Sequence, residues 1–227
     1  MNLRRLVRGA AIILSFAMPS ACGRMPGRPI AAAWPLNPSQ VTDFKTLYGE
    51  NCAGCHGAHG RFGGALPLNN PVYLAIVDDA SLRNAIANGV PGTSMPAFAL
   101  QSGGMLTDEQ VASIVNGIRS SWGSGPRNVD GAPPYASTEA GDPTQGAKLF
   151  GDYCASCHGA GGTGGSAGAI ADPSFLALYN DQALRTLIIA GRPDLSHPGW
   201  RDYVGKTPLD STQVSDLVAW LAVRREP

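Results

Sequence analysis

The apolar positions of the chain recur at three- and four-residue intervals, which is the period of amphipathic helices. The clearest stripe in the first half of the chain consists of Val111, Ile114, Val115 and Ile118. Thr107 and Gln110 precede it in a capping-box pattern, so a helix is predicted to begin there. Its counterpart in the second half begins at Asp210 and contains Val214, Leu217, Val218 and Leu221. No segment alternates apolar and polar residues convincingly, as a strand would, and the predicted fold class is therefore all-α.

Two further helices are predicted in each half. The first covers 41–51 in one half and 145–153 in the other, and each runs into a pair of cysteines. The second is predicted to begin at a capping aspartate and to end at a glycine. The residues that support it are Asp79, Leu82, Ile86 and Gly89, and in the second half Asp181, Leu184, Ile188 and Gly191.

The two halves are copies of one unit. A shift of the sequence by 102 positions aligns more than 50 residues without a gap, and residues 49–60 fall on 151–162. Two copies make tandem domains and not a solenoid. We therefore predict domains at 41–122 and 143–227, joined by a linker at 123–142 that is rich in Gly, Pro and Ser.

The first 21 residues have the order of an export signal. Arginines precede an apolar run at 9–18, which is too short to span a membrane, and small residues then lead to Cys22. The segment resembles a bacterial lipoprotein signal, in which this cysteine carries the lipid, although Pro19 stands where such signals usually have Leu. Ordinary signal cleavage is the alternative. Residues 22–40 then form a Pro-rich tether, and we expect an exported protein, anchored by lipid on the periplasmic or cell-surface side of a membrane.

Composition narrows the class of protein. Of the 227 residues, 44% are hydrophobic, 15% are charged and 7% are aromatic. The hydrophobic content excludes a disordered chain, and the balance of 17 basic and 17 acidic residues argues against a nucleic-acid binder. Because aromatic side chains are few, we expect the small cores to pack around a cofactor.

Each unit contains Cys-x-x-Cys-His, as CAGCH at 52–56 and as CASCH at 154–158. On one helical turn the two thiols can form thioethers with the vinyl groups of a haem, and the adjacent histidine can then bind the iron. One alternative is a redox disulfide, which is expected in a βαβ setting that the pattern lacks. Another is a zinc site, which needs further ligands nearby. Two copies in an exported chain favour haem.

With these motifs the chain resembles the class I cytochromes c, and in particular their two-domain dihaem members. The resemblance covers both predicted domains and implies a small helical bundle around one covalently attached haem c in each. The implied thioether residues are Cys52, Cys55, Cys154 and Cys157, and the implied proximal iron ligands are His56 and His158. In this family the second nitrogen of the proximal imidazole bonds to a carbonyl in a loop that usually contains proline. Pro67 fits this loop in the first unit, whereas Ala169 stands there in the second.

The distal iron ligand of the family is usually a methionine followed by a proline. Met95 matches this pattern in the first unit, and Met105 is a rival outside that context. The second unit has no methionine, and its equivalent residue is His197. Met95 and His197 each lie 39 residues after the motif histidine, and a proline follows each of them. We therefore predict a His56/Met95 haem and a His158/His197 haem, with an open second iron as the alternative.

Ligand type suggests how the two predicted haems differ. A thioether favours ferrous iron and imidazole favours ferric iron, so the first haem is expected to have the higher potential. The leading hypothesis is an electron-transfer protein that carries single electrons between a membrane-bound respiratory or photosynthetic complex and a redox protein, either as a free carrier or as a subunit. The competing hypothesis is a dihaem redox enzyme, of peroxidase or sulfur-compound oxidoreductase type, with an open or displaceable distal site at the second haem. No catalytic residue is predicted.

Overall fold

The structure, a computed structural model, describes residues 36–124 and 129–225. The described residues form ten α-helices and no strand, and their β-bridges, Ala99 with Leu106 and Arg192 with His197, are isolated. The prediction of an all-α fold is confirmed. The predicted signal at 1–21 and most of the tether, including Cys22, lie outside the described residues. Within the described part of the chain, no helix is both long and apolar enough to cross a membrane.

Each half of the chain contributes five helices. Those of the first half are α1 (Phe44–Asn51), α2 (Ala53–His56), α3 (Pro71–Ile76), α4 (Asp79–Asn88) and α5 (Asp108–Trp122). Those of the second half are α6 (Pro143–Tyr153), α7 (Ala155–His158), α8 (Pro173–Leu176), α9 (Asp181–Ala190) and α10 (Ser211–Ala222). The three long helices of each half match the predicted ones. The short helices α2, α3, α7 and α8 have one or two turns, which is too short for an apolar stripe to reveal them.

The first residues of α4 and α9 differ from the predicted caps by one position. The N-cap of α4 is Asp78, whose carboxylate accepts a hydrogen bond from Ser81 N. The N-cap of α9 is Asn180, whose Oδ1 accepts from Ala183 N. The predicted capping aspartates are instead the first helical residues. Two side chains able to cap stand next to each other at both places, and the local pattern does not separate them.

Two hydrophobic clusters form the cores, each built mainly from one half, and Ala190 of the second half belongs to the first cluster. All residues of the two predicted apolar stripes in α5 and α10 are buried. Fully buried side chains of the first cluster include Leu74, Leu82, Val111 and Ile114, and those of the second include Leu176, Leu209, Val214 and Leu217. Thr107 and Asp210 cap α5 and α10 in capping boxes, as predicted for the first of these helices.

The first and last helices of each half cross at a glycine. A Cβ on Gly117 of α5 would lie 2.1 Å from the ring of Phe44 in α1. In the second half the glycine is on the other helix: a Cβ on Gly146 of α6 would lie 2.0 Å from the carbonyl oxygen of Asp216 and 2.7 Å from the Cβ of Trp220, both in α10. Phe44 and Gly146 occupy equivalent positions of the repeat, as do Gly117 and Trp220. Each crossing therefore combines one aromatic residue with one glycine, but from opposite helices.

The two halves contact each other where α3 meets the end of α9. Asn70 is only 2% exposed, and its Oδ1 accepts hydrogen bonds from Val72 N (2.9 Å) and Tyr73 N (3.2 Å) at the start of α3. Its Nδ2 donates to the carbonyls of Ala190 (2.8 Å) and Gly191 (3.3 Å) at the end of α9. One buried amide thus satisfies backbone groups of both halves.

A second asparagine acts in the reverse direction. Asn180 caps α9 of the second half, and its Nδ2 donates to the carbonyl of Pro91 in the first half at 2.9 Å. The equivalents of Asn70 and Asn180 in the other half are Asp172 and Asp78. Both aspartates also cap helices, but a carboxylate has no N–H to donate. Asparagine therefore stands at the two caps that also bridge the halves.

Candidate functional site

Each Cys-x-x-Cys-His motif lies on a short helix that follows directly from a longer one. Cys52 ends α1 and begins α2 with φ −119° and ψ −36°. Cys154 ends α6 and begins α7 with φ −117° and ψ −32°. Because residues three apart on a helix are neighbours, this turn places the two thiols of each motif on one face. The two halves build this turn with nearly the same backbone geometry.

The two thiols of each motif differ in exposure. Cys52 and Cys154 are half-buried, whereas Cys55 and Cys157 are exposed. Burial, followed by the neighbouring thiol of the motif, raises the pKa of Cys52 to about 11 and that of Cys154 to about 12. A raised pKa keeps Cys52 and Cys154 protonated at neutral pH, so neither has the thiolate character of a redox nucleophile.

Each motif histidine is oriented by one ring nitrogen. His56 Nδ1 donates to the carbonyl of Leu66 at 2.7 Å, and His158 Nδ1 donates to that of Gly168 at 3.0 Å. A proton on Nδ1 leaves the Nε2 lone pair available to a metal. The acceptor belongs to the loop that Pro67 indicates, but to the residue before the proline. Since every residue carries a carbonyl, the second half makes the same bond without a proline.

Met95 lies in a loop that folds back against the end of α4. Val90 N donates to its carbonyl at 3.1 Å, and its own N–H donates to Thr93 Oγ1 at 3.2 Å. Gly89 has φ +71°, and a Cβ there would lie 2.8 Å from the carbonyl oxygen of Met95, so the close approach requires glycine. Met95 is half-buried and packs on the first hydrophobic cluster, whereas Met105 is 82% exposed.

His197 lies in the equivalent loop of the second half. Arg192 N donates to its carbonyl at 3.1 Å, as Val90 N does to Met95, and His197 N donates to the carbonyl of Arg192 at 2.9 Å. Gly191 has φ +65° and makes the same close approach, here to Pro198. The loop therefore presents His197 from the backbone position that presents Met95 in the first half.

The second half brings its two histidines into one site. The ring centroids of His158 and His197 are 5.9 Å apart, with an angle of 51° between the ring planes. His197 Nδ1 is buried and has no hydrogen-bond partner among the described residues. Burial, and then the nearby His158, lower the pKa of His197, which favours the neutral imidazole that binds metals. A buried nitrogen without a partner, on an imidazole whose centroid lies 5.9 Å from that of a second histidine, fits a metal-centred group.

The donor set fits haem c better than it fits a bare metal ion. In the described ranges, no three His, Cys, Asp or Glu side chains converge to hold a metal, so the zinc alternative finds no ligand set there. Each half instead offers a pair of thiols on one helical turn, a histidine oriented through Nδ1, and a loop with Met95 or His197. Thioether attachment and axial iron ligation need these groups.

An all-α fold with two such motif turns defines a c-type cytochrome. The family described as cytochrome c oxidase, cbb3-type, subunit III matches residues 39–116 and again residues 141–221. The chain belongs to this family, whose members carry covalently bound haem c and transfer electrons.

Curated relatives are cytochrome c subunits of larger complexes. The cytochrome c subunit of the cytochrome bc1 complex of Mycobacterium tuberculosis is 25% identical over 231 residues, which cover 99% of this chain and 79% of that one. The cbb3-type cytochrome c oxidase subunit FixP of Bradyrhizobium diazoefficiens is 29% identical over 181 residues, 75% of this chain and 58% of that one. Among solved structures, the c-type cytochrome KustC0563 is 27% identical, covers 34% of this chain and 95% of its own, and has a TM-score of 0.31.

Proposed function

We propose that the chain binds two haem c groups and relays single electrons for a membrane-bound respiratory complex. The observation that supports this most strongly is the repetition of one site geometry. Both halves contain the same motif turn, the same bond from Nδ1 to a carbonyl ten residues later, and the same closed loop with a donor residue. If only one half bound haem, the other half would not need to keep this site geometry.

The motif residues attach and orient each group. Cys52 and Cys55 would form the thioethers of the first haem, and Cys154 and Cys157 those of the second. His56 and His158 would bind the irons through Nε2, because their Nδ1 atoms are engaged by carbonyls. Haem c supplies an iron that alternates between the ferrous and ferric states and so carries one electron at a time.

The distal residues distinguish the two sites. Met95 provides a thioether, which stabilises ferrous iron, and His197 provides an imidazole, which stabilises ferric iron. With haem c bound, the His56/Met95 site would have the higher potential and would accept electrons from the second site. With both distal positions filled, the chain acts as a carrier or subunit and not as an enzyme. The dihaem enzyme hypothesis needs an open second iron, and the closeness of His197 to His158 argues against it.

The relatives suggest where this relay operates. They are cytochrome c subunits of the bc1 complex and of cbb3-type oxidase, so we propose that a complex of this kind is the partner. We also propose that residues 1–21 are an export signal and that Cys22 carries a lipid. The domains 41–122 and 143–227, with their linker 123–142, would then lie on the outer face of a membrane.

A potentiometric titration of the haem bands, with and without carbon monoxide, tests the proposed function. For the haem-loaded wild type we expect two waves that carbon monoxide does not change. His197→Ala should lose the native band of the lower wave and bind carbon monoxide, whereas Met95→Ala should alter only the higher wave. Binding of carbon monoxide to the reduced wild type would contradict two filled sites and favour the enzyme hypothesis.

A further inference from the structure

The loop that carries His197 also contains a buried ion pair. Arg192 Nε donates to Asp194 Oδ1 at 3.0 Å, and its Nη2 donates to Oδ2 at 2.9 Å. The side chains of Arg192 and Asp194 are only 12% and 4% exposed. At the equivalent positions of the first half stand Val90 and Gly92. The ion pair is therefore an addition to the repeat and not part of it.

Both charged side chains contact the segment that follows the first motif. Arg192 Nη2 donates to the carbonyl of Gly63 at 2.9 Å, and Phe62 N donates to Asp194 Oδ2 at 2.9 Å. Phe62 has φ 63°, a left-handed conformation that non-glycine residues rarely adopt, and the carboxylate accepts the N–H presented there. Gly63 in turn lies against the backbone of Cys55: a Cβ on Gly63 would be 2.1 Å from the carbonyl oxygen of Cys55. The ion pair thus reaches the first motif through one layer of backbone.

The same arginine is fixed to the second site by its backbone. Its N–H and carbonyl both bond to His197, at 3.1 and 2.9 Å. Arg192 therefore contacts the His197 loop through its backbone and the segment after the first motif through its guanidinium.

We propose that Arg192 and Asp194 form a clamp between the halves that holds the His197 loop in place and sets the electrostatic potential of both haem sites together. The inference rests on the proposed function, because it takes His56 and His197 to bind iron. The two residues are positioning residues: they touch the backbone around the sites and act through it. Their charges oppose each other, so the intact pair leaves both sites nearly neutral.

Removing one charge at a time is expected to move both potentials in the same direction. Asp194→Asn keeps the side-chain shape and leaves Arg192 uncompensated. Both midpoint potentials should rise, because a nearby positive charge disfavours the ferric state. Arg192→Val, which introduces the residue of the first half, leaves a buried carboxylate, and both potentials should fall. In the double variant Arg192→Val/Asp194→Asn both charges are gone, and the shift common to the two haems should largely disappear.

A variant that conserves the charge of residue 192 separates the positioning role of Arg192 from the effect of its charge. Arg192→Lys keeps the positive charge but lacks the planar fork that bonds Asp194 and Gly63 together. We expect the lower haem band to weaken and the reduced protein to bind carbon monoxide at the second site, with the first potential unchanged. The matched control is the exposed pair of Arg83 and Asp108, whose side chains are 41% and 67% exposed. Arg83→Val should move neither potential.

The measurement is a potentiometric titration of each haem-loaded variant, with carbon monoxide binding as the second readout. Equal, opposite shifts of both waves in Asp194→Asn and Arg192→Val support the clamp. Two native waves that do not move in either variant, or a shift confined to one haem, would overturn it. Failure of the proposed function looks different, since the wild type itself would then bind carbon monoxide or show a single wave.

Discussion

The two halves of the chain build one site with different side chains. The motif turns have matching backbone angles, both motif histidines bond to a carbonyl ten residues later, and both donor loops close on a glycine. The side chains at the variable positions differ, most of all Met95 against His197. The shared contacts involve mainly backbone atoms, so they can form with different side chains at the variable positions. The comparison teaches that the residue at this loop position can change from methionine to histidine while the backbone of the loop is kept.

The crossings of α1 with α5 and of α6 with α10 also keep the same backbone arrangement with different side chains. Phe44 packs on Gly117 in the first half, and Gly146 packs on Trp220 in the second. In each half a glycine allows the facing helix to approach closely, at the ring of Phe44 in one half and at the backbone of Asp216 and the Cβ of Trp220 in the other. The two halves share the close crossing, although the glycine comes from opposite helices.

At the contact between the halves, equivalent positions of the repeat carry different residues. Asn70 and Asn180 bond across it, where the equivalent caps are Asp172 and Asp78. The clamp of Arg192 and Asp194 has no counterpart in the first half either. These four residues, which differ from their equivalents in the repeat, thus serve the contact between the two halves.

The largest expected effect comes from Asn70→Asp. The carboxylate can still cap α3, but it would face the carbonyls of Ala190 and Gly191 in a site that is 2% exposed. An unpaired buried charge destabilises by about 3 kcal/mol or more, which urea denaturation measures. Asp172→Asn is the matched control and should change stability by less than about 0.5 kcal/mol. Equal stability of the two variants would contradict the assignment of Asn70 to the contact.

The next effect tests whether the crossing of α1 with α5 is equivalent to that of α6 with α10. Gly117→Trp places a large ring against Phe44 and should destabilise by about 3 kcal/mol through overpacking. Adding Phe44→Gly creates the combination found in the second half, and we expect it to recover about 1–3 kcal/mol. Thermal and urea unfolding of both single variants and the double variant give this coupling energy. If the two changes are additive, the crossings are not equivalent.

His197→Met would make the second donor loop resemble the first. We expect the lower potential to rise towards the higher one by about 0.1 V, a fraction of the roughly 0.8 V range that axial ligands span. The first potential should stay in place, which a titration of the two bands shows directly. A rise of the first potential alone would mean that the haems have been assigned to the wrong halves.

The smallest effect is a dependence of stability on pH. The hydrogen bonds from Arg192 hold the pKa of Asp194 below its usual value, so this carboxylate stabilises the fold above the unfolded-state pKa of about 3.9. The contribution should be lost as the pH falls through the lowered pKa. We expect wild type to exceed Asp194→Asn by about 1 kcal/mol at pH 7, with the difference vanishing in strong acid. A difference that stays constant between pH 7 and pH 3 would speak against the ion pair.

Local signals in the sequence predict the local part of this structure well. The stripes of α5 and α10, the glycine ends of α4 and α9 and the motif turns all follow from residues within one or two helical turns of each other. The caps of α4 and α9 differ by one position, because neighbouring residues compete for the same role. Short helices such as α8 carry too few residues for a periodic pattern.

The contact between the halves could not be predicted in this way. Asn70 bonds to residues about 120 positions away, and Arg192 to one 129 positions away. Such hydrogen bonds depend on how the two folded halves pack together. They therefore produce no recognisable spacing of residues in the sequence. One signal was present in the repeat itself, since both asparagines replace aspartates of the other half and Arg192 replaces a valine. Departures from internal symmetry are thus a guide to long-range contacts.

The central claim is that one site is built twice and filled by two different distal donors. Low-temperature electron paramagnetic resonance of the fully oxidised, haem-loaded protein tests it most directly. We expect two low-spin ferric signals of equal intensity, of which only one changes in Met95→Ala and only the other in His197→Ala. A high-spin signal in the wild type, or a signal from a single haem, would contradict the account.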